Sequence, residues 1–265
     1  MIAKGDIMER KKVALVLSGG SALGFAHIGV IKILEKYNVP IDIIVGTSMG
    51  GLVGASYASG LSVKEMTDFA CKFKKIHFID VNFNASGIFS GKGVMKNINK
   101  FLPDKKIEEL NISFGCVACD LLTEKEVVFT TGSVRDAVRS TLSIPGFFVP
   151  YSIEDKLLVD GGVVNNLPDD LAVKMGADVI IAVDVLSKCK LKEAPKNAFD
   201  SLIASINVLT KEVQNYKSIH SDVLLQPDIS SLTQMSFGKK NTLKAISIGE
   251  RECENHIKEI LQLIK

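Results

Sequence analysis

The fold is decided by one stretch of sequence, Ile41-Asp42-Ile43-Ile44-Val45-Gly46-Thr47-Ser48-Met49-Gly50-Gly51-Leu52-Val53. An apolar segment of strand length ends in Gly-Thr-Ser-Met-Gly, and small and apolar residues then continue at helical spacing. The pattern G-x-S-x-G between a strand and a helix is typical of a nucleophile elbow, a sharp turn that presents a serine hydroxyl. Gly46 and Gly50 lack Cβ atoms, so the strand and the helix can approach closely around this turn. We therefore predict that Ser48 is a nucleophile.

The composition of the chain indicates an ordinary globular protein. Of its 265 residues, 46% are hydrophobic and 23% are charged, and the net charge of +2 is too small to indicate a nucleic-acid-binding protein. Five cysteines, an odd number, do not suggest a disulfide framework. No secretory signal is visible near the N-terminus, and the longest apolar stretch contains too many glycines for a transmembrane helix. These features predict a soluble protein in a reducing, cytoplasmic setting.

The N-terminal part of the chain predicts a β-α-β unit. A buried strand at 13–17 is followed by a glycine-rich turn at 18–24, an amphipathic helix and a second strand at 41–45. A right-handed crossover brings this turn and the serine turn to the same edge of a sheet. We predict a polar leader at 1–11 and a single domain at 12–265. Further predicted elements are strands at 114–119, 127–130, 157–159, 179–183 and 223–225, and helices opening at Ser62 and Ser133 and lying across 171–175, 203–213 and 241–264.

A serine nucleophile needs groups that stabilise the oxyanion, and the first glycine turn supplies candidates. Gly19, Gly20 and Ser21 present successive backbone N–H groups ahead of a helix N-terminus, whose dipole favours negative charge. The same turn could hold the phosphate of a nucleotide. A dinucleotide site, however, needs a third glycine where Ser21 stands and an acidic residue at the end of the second strand, whereas Asp42 lies at its beginning. Nucleotide binding is therefore the weaker alternative.

The residue that accepts the serine proton is less obvious. Ser48, Asp160 and His220 occur in the order of an α/β-hydrolase triad, but His220 precedes a predicted strand, on the wrong side for an active site of a parallel sheet. Asp160 ends an apolar strand, and a carboxylate can act as a base if burial raises its pKa. A purely turn-forming role for Asp160 stays open. His27 follows the glycine turn, where it lines the cleft or packs in the core.

Three stretches together resemble the motifs of the patatin-like phospholipase family: Gly19-Gly20-Ser21-Ala22-Leu23-Gly24, Gly46-Thr47-Ser48-Met49-Gly50 and Asp160-Gly161-Gly162. The segment Ser143 to Phe148 resembles a further family segment, and the likeness covers essentially the whole chain. This resemblance implies a three-layer α/β/α sandwich with a mostly parallel central sheet. It also implies a dyad of Ser48 as nucleophile and Asp160 as proton acceptor, with oxyanion donors in the glycine turn. The implied reaction is hydrolysis of lipid acyl esters, as by a phospholipase A, lysophospholipase or esterase, without metal or organic cofactor.

The glycine turn departs from the family pattern at two positions. The family usually has a third glycine and a basic residue, where this chain has Ser21 and Leu23. Without the basic side chain, a contact to a phosphate head group is lost, so the departure bears on the preference for phospholipids more than on the hydrolysis. The expected partner is a lipid or acyl-ester substrate, with transient contact to a membrane surface. A lipid-binding regulator that keeps the fold without catalysis stays as the alternative from another class.

Two further features allow a functional and a structural interpretation. Cys116 and Cys119 form a C-x-x-C pattern, but they lie in a predicted strand and no second pair follows, so a zinc or redox role is the weaker interpretation. Phenylalanines interleaved with lysines could form a lid or a lipid-contacting face, although core packing is the commoner explanation. These residues are Phe69, Phe73, Phe78, Phe83 and Phe89, with Lys72, Lys74, Lys75 and Lys92.

Overall fold

The apolar segment Val13–Leu17 forms the middle strand of the parallel part of the sheet. The computed structural model describes residues 10–73, 89–191, 193–217 and 219–265. The strands are β1 (Val13–Leu17), β2 (Ile43–Thr47), β3 (Ser113–Asp120), β4 (Lys125–Phe129), β5 (Tyr151–Ile153), β6 (Lys156–Asp160), β7 (Val179–Val183) and β8 (Val223–Leu225). The helices are α1 (Ala26–Lys36), α2 (Met49–Ala58), α3 (Val63–Lys72), α4 (Lys92–Ile98), α5 (Val134–Thr141), α6 (Asp169–Lys174), α7 (Ala198–Tyr216) and α8 (Lys239–Leu263).

Within the described residues these strands form one sheet in the order β5-β6-β3-β2-β1-β7-β8, with β4 paired to β3. The five strands β3, β2, β1, β7 and β8 run parallel to one another, whereas β4, β5 and β6 are antiparallel to their neighbours. The prediction of a mostly parallel sheet is therefore confirmed. Parallel pairing brings the carboxyl ends of β1 and β2 to the same edge, where both glycine-containing turns begin.

The sheet is covered by helices on both faces, as the alternating side chains of β1 show. Val13, Leu15 and Leu17 are fully buried in a large core with α1, α2, α5 and α8. Ala14 and Val16 are buried on the opposite face in a smaller core with α6. Burial of every β1 side chain explains why this strand is apolar throughout rather than alternating. The predicted three-layer α/β/α sandwich is confirmed.

Two strands meet end to end along one edge of β3. Residues 116 and 117 of β3 pair with β2 on one edge and with β4 on the other. Residues 118–120 pair with β4 and with β6, so β6 occupies the edge that β2 leaves. Thr47, the last residue of β2, pairs with Val117, and Asp160, the last residue of the antiparallel β6, pairs with Ala118. The ends of β2 and β6 therefore abut.

Several local predictions are confirmed and others change. The capping box at Ser62 opens α3 as expected, since Ser62 and Glu65 each bond the backbone N–H of the other. The second strand begins at Ile43 rather than Ile41, because the carboxylate of Asp42 accepts the N–H of Val13 and pairs with Arg10. Helix α4 and strand β5 were not predicted. Their short lengths give little periodicity, and β5 forms because it pairs with β6.

The structure bears on the C-x-x-C pattern and on the interleaved phenylalanines, the two features that allowed two interpretations. Cys116 and Cys119 are free, buried thiols in β3. Of the phenylalanines, Phe69 stacks on Phe101 at 4.3 Å between ring centroids, and Phe73 is buried in the large core. Phe78, Phe83, Lys74 and Lys75, like the predicted leader up to residue 9, lie outside the described residues. In the described part of the chain, no helix has the length and apolarity needed to cross a membrane.

Candidate active site

The predicted elbow forms between β2 and α2, and Ser48 is its central residue. Ser48 adopts φ 54° and ψ −122°, a backbone conformation that is strained for a residue with a side chain, and it is 5% exposed. The flanking glycines are required for space. A Cβ on Gly50 would lie 2.1 Å from the carbonyl oxygen of Leu17, and one on Gly46 would lie 2.5 Å from the carbonyl carbon of Gly50. The turn therefore tolerates a side chain at Ser48 and not at its two glycines.

Ser48 and Asp160 are brought together where β2 and β6 meet. The hydroxyl of Ser48 donates to Oδ2 of Asp160 at 2.5 Å, and the N–H of Gly162 donates to Oδ1 at 2.8 Å. Burial raises the pKa of Asp160 from 3.8 to about 6, although both hydrogen bonds oppose the rise. The chain after Asp160 passes close to the backbone of β3, and this requires a glycine at position 161, since a Cβ there would lie 2.3 Å from the carbonyl oxygen of Val117. The pair can transfer a proton from a hydroxyl to a carboxylate.

The elbow is also fixed by two threonines. The backbone N–H of Ser48 donates to Oγ1 of Thr141 at 2.7 Å, and that hydroxyl donates to the carbonyl oxygen of Val117 at 2.6 Å. The hydroxyl of Thr47 donates to the carbonyl oxygen of Asn165 at 2.8 Å. Sequence reasoning missed Thr141. The one available signal for a role in the site was that Thr141 lies two residues before the segment Ser143 to Phe148, which resembles a family segment.

No histidine of the described residues bonds to Ser48 or Asp160. His220 is exposed, and its backbone N–H donates to Asp169. Ser48 and Asp160 bond each other directly, which leaves no place for an imidazole between them as in a triad. His27 is fully buried in the core, with Nε2 at 2.9 Å from the carbonyl oxygen of Ser18.

The glycine turn lies against the elbow but differs from the prediction in one donor. A Cβ on Gly19 would lie 3.2 Å from Cβ of Ser48, which places the turn beside Ser48. The N–H of Gly19 already donates to the carbonyl oxygen of Asn166 at 3.2 Å, so it is not available to a ligand. No described residue accepts from the N–H groups of Gly20 and Ser21. These two are the candidates for an oxyanion hole.

The two departures from the family pattern have different structural consequences. Ser21 takes φ 52°, in the left-handed region that favours glycine. Leu23 is fully buried in the large core, so its side chain does not face a ligand. Gly24 packs against the elbow helix, since a Cβ there would lie 2.5 Å from Cγ of Met49.

An apolar cavity begins at Met49, the residue after Ser48. Met49 and the next turns of α2 form one wall, and α3 forms the opposite wall. Ser56 is the single polar lining residue, and its hydroxyl is already satisfied by the carbonyl oxygen of Leu52. The cavity is small, and its lining is apolar throughout apart from this internally satisfied hydroxyl. It is lined by Phe25, Ile28, Met49, Leu52, Val53, Ser56, Met66, Phe69, Ala70 and Phe101.

Comparison with known proteins bears on this site. The family model described as patatin-like phospholipase matches residues 15–173. Patatin-like phospholipase domain-containing protein 6 of Mus musculus is 35% identical over 190 residues, which cover 69% of this chain and 14% of that protein. Lysophospholipase nte1 of Aspergillus fumigatus is 37% identical over 181 residues, which cover 66% of this chain and 12% of that protein. The chain thus corresponds to a small part of these relatives.

Solved structures show the same fold at low sequence identity. VipD from Legionella pneumophila superimposes with a TM-score of 0.57 at 13% identity, covering 95% of this chain and 67% of that chain. Full-length ExoU of Pseudomonas aeruginosa, solved in complex with SpcU, superimposes with a TM-score of 0.51 at 14% identity, covering 96% of this chain and 53% of that chain. These similarities concern the arrangement of the sheet and helices.

Proposed function

Because the chain belongs to the patatin-like phospholipase family, we propose that it hydrolyses fatty-acyl esters of lipids through a Ser48–Asp160 dyad. The observation that carries this proposal is the direct hydrogen bond of 2.5 Å between the two side chains, at a strained elbow. A serine hydroxyl is a weak nucleophile unless a base is positioned to take its proton. Asp160 has that position.

The mechanism follows from this arrangement. Asp160 is ionised above pH 6, because burial raises its pKa to about 6 and no further. It takes the proton of Ser48 as the serine oxygen attacks the ester carbonyl. The N–H groups of Gly20 and Ser21 then bind the oxyanion. As the ester bond breaks, Asp160 gives its proton to the leaving alcohol. Water attacks the acyl-enzyme, the same carboxylate takes its proton, and the fatty acid is released with Ser48 restored.

The proposed substrate class rests on membership of the patatin-like phospholipase family. The small cavity beside Met49 adds an apolar lining next to the serine, with the single hydroxyl of Ser56 satisfied internally, which fits an apolar acyl group better than a polar one. No charged side chain lines it, so it supports no preference among head groups. We further propose transient contact with a membrane surface, where such lipids reside, and a cytoplasmic location, in keeping with five free cysteines.

Three variants assayed on a chromogenic acyl ester test the dyad. We expect Asp160→Asn to lower kcat/KM by about 1,000-fold or more, because no base remains to take the serine proton. Ser48→Ala should be equally inactive, and His220→Ala should match the wild type. Full activity of Asp160→Asn, or a large loss in His220→Ala, would exclude the dyad.

Labelling with a fluorophosphonate separates catalysis from binding without hydrolysis. We expect the wild type to be labelled at Ser48 and Ser48→Ala to stay unlabelled, as judged by intact-protein mass. A folded wild type that hydrolyses no ester and takes no label would indicate a lipid-binding role instead.

A further inference from the structure

The peptide bond between Ser18 and Gly19 is held at both ends. Its carbonyl oxygen lies 2.9 Å from Nε2 of His27, and its N–H donates to the carbonyl oxygen of Asn166 at 3.2 Å. The next two N–H groups along the chain, those of Gly20 and Ser21, are the proposed oxyanion donors. We propose that His27 is a positioning residue that fixes the direction of these donors by anchoring the Ser18 carbonyl. This inference rests on the proposed function of the site.

The turn needs such an anchor because its own backbone is soft. Gly19 and Gly20 have no Cβ, so their backbone dihedrals are only weakly restricted by sterics. An oxyanion hole lowers the barrier only when its donors already point at the position where charge develops. Without external contacts, thermal rotation of the peptide planes would spread the direction of the Gly20 N–H. Bonds at both ends of the preceding peptide limit that rotation.

Other contacts hold Ser18 in place but leave its carbonyl to His27. The N–H of Ser18 donates to the carbonyl oxygen of Val183 at 3.0 Å, and its hydroxyl accepts the N–H of Val185 at 3.0 Å. Both contacts join the residue to the end of β7. Among the described residues, the ring of His27 is the group that bonds the Ser18 carbonyl oxygen. The direction of that carbonyl therefore depends on His27, together with the bond from the Gly19 N–H of the same peptide to Asn166.

The chemistry of the bond fixes the state of the ring. A carbonyl oxygen can only accept, so Nε2 of His27 carries the proton and donates. Nδ1 has no hydrogen-bond partner among the described residues, and burial lowers the pKa of His27 to about 4. The ring is therefore neutral, with one proton, wherever Asp160 is ionised. It can serve as a fixed donor and cannot serve as the general base, since its bare nitrogen faces the core.

Two substitutions at His27 separate anchoring from simple packing. His27→Leu keeps an apolar side chain and loses the donor, whereas His27→Gln places an amide N–H at similar reach. We expect kcat to fall about 10- to 100-fold in His27→Leu with KM within about threefold, because misdirected donors lose part of their transition-state stabilisation. We expect His27→Gln to recover kcat to within about fivefold. Affinity for a trifluoromethyl ketone, whose serine adduct carries an oxyanion, should follow kcat.

Thr242→Val is the matched control for loss of a buried hydrogen bond. Thr242 is fully buried, and its hydroxyl donates to the carbonyl oxygen of Ala70 at 3.4 Å, with no hydrogen bond to the glycine turn. Thr242→Val should lower the midpoint of thermal unfolding without changing kcat or the affinity for the trifluoromethyl ketone. If His27→Leu does not fold, His27→Asn replaces it, because its amide is one methylene shorter and does not reach the carbonyl.

Backbone ¹⁵N relaxation tests the anchor without any turnover. We expect the order parameters of Gly20 and Ser21 to fall from about 0.85 to below about 0.7 when the donor is lost, and to recover in His27→Gln. Equal order parameters and equal kcat in the wild type and His27→Leu would overturn the proposal, as would a glutamine variant no better than leucine. If the wild type neither hydrolyses esters nor reacts with the fluorophosphonate, the proposed function is overturned. The relaxation data would then be the test of whether His27 anchors the turn.

Discussion

The elbow and the glycine turn each hold a serine in the left-handed backbone region, for different reasons. Ser48 has φ 54° and Ser21 has φ 52°. Ser48 is buried, and its backbone N–H and hydroxyl are bonded to Thr141 and Asp160. Ser21 is partly exposed, and its hydroxyl makes no hydrogen bond to a described residue. The strain at the elbow positions a side chain, whereas the glycine turn offers only its backbone and gains nothing from a Cβ.

The two turns also differ in the titratable group buried beside each. Burial raises the pKa of Asp160, next to the elbow, and lowers the pKa of His27, behind the glycine turn. In both cases the charged form is disfavoured. Since one group is an acid and the other a base, their effects on stability have opposite dependence on pH. The pH dependence of stability can therefore be measured separately for each turn.

The largest expected effect comes from a methyl group at Gly50. Its Cβ would lie 2.1 Å from the backbone oxygen of Leu17, which cannot move without disturbing β1. We expect Gly50→Ala to lower the free energy of unfolding by at least about 3 kcal/mol, measured by urea titration. In the glycine turn, Gly24→Ala meets the flexible side chain of Met49 instead and should cost about 1 kcal/mol. Equal losses would mean that the elbow is not the more tightly constrained turn.

The next effect is the pH dependence of stability at the elbow. The pKa of Asp160 rises from 3.8 to about 6 on folding, so between these values the native state binds more protons than the unfolded state and loses stability as pH rises. At 1.36 kcal/mol per unit, the loss is about 3 kcal/mol at pH 7. We expect Asp160→Asn to match the wild type near pH 4 and to be more stable at pH 7. A constant difference between the two would contradict the assignment.

The glycine turn should show the opposite trend. The pKa of His27 falls from 6.5 to about 4 on folding, so its contribution to stability is present above pH 6.5 and is lost as pH falls toward 4. We expect His27→Gln to gain stability relative to the wild type on acidification, by the same urea titrations. Relative to the wild type, Asp160→Asn should therefore gain stability as pH rises from 4 to 7, and His27→Gln should gain stability as pH falls over the same range.

The smallest expected effect is relief of strain at Ser21. Glycine removes a left-handed penalty of about 1 kcal/mol but gains flexibility in the unfolded chain, for a net stabilisation of about 0.5 kcal/mol. We expect Ser21→Gly to keep kcat within about threefold, since the N–H is retained. Glu124→Gly, at φ 59° in the β3–β4 hairpin, is the matched control and should stabilise by a similar amount. A tenfold loss of kcat in Ser21→Gly alone would mean that the Ser21 side chain has a role in the site.

Much of the site could be predicted because its parts are local. The elbow is contained in five consecutive residues, and the β-α-β crossover dictates that both turns share one sheet edge. The role of Thr141 could not be predicted, since its contact with Ser48 spans 93 positions and a lone threonine carries no pattern. The same holds for Asn166, whose carbonyl occupies the N–H of Gly19 and removes it from the predicted donors. Both contacts depend on how loops cross the sheet edge.

By itself the sequence determined the buried central strands, the elbow and the glycine turn, because periodicity and glycine placement act over a few residues. It pointed to Asp160 by the motif resemblance and by its place at the end of an apolar strand, without indicating that this strand, β6, is antiparallel to β3. Only the tertiary structure decided that β6 continues the edge of β3 where β2 ends, so that Asp160 arrives at Ser48 from the opposite direction. Strand direction and register are set by pairing between residues far apart in the chain, and no local pattern encodes them.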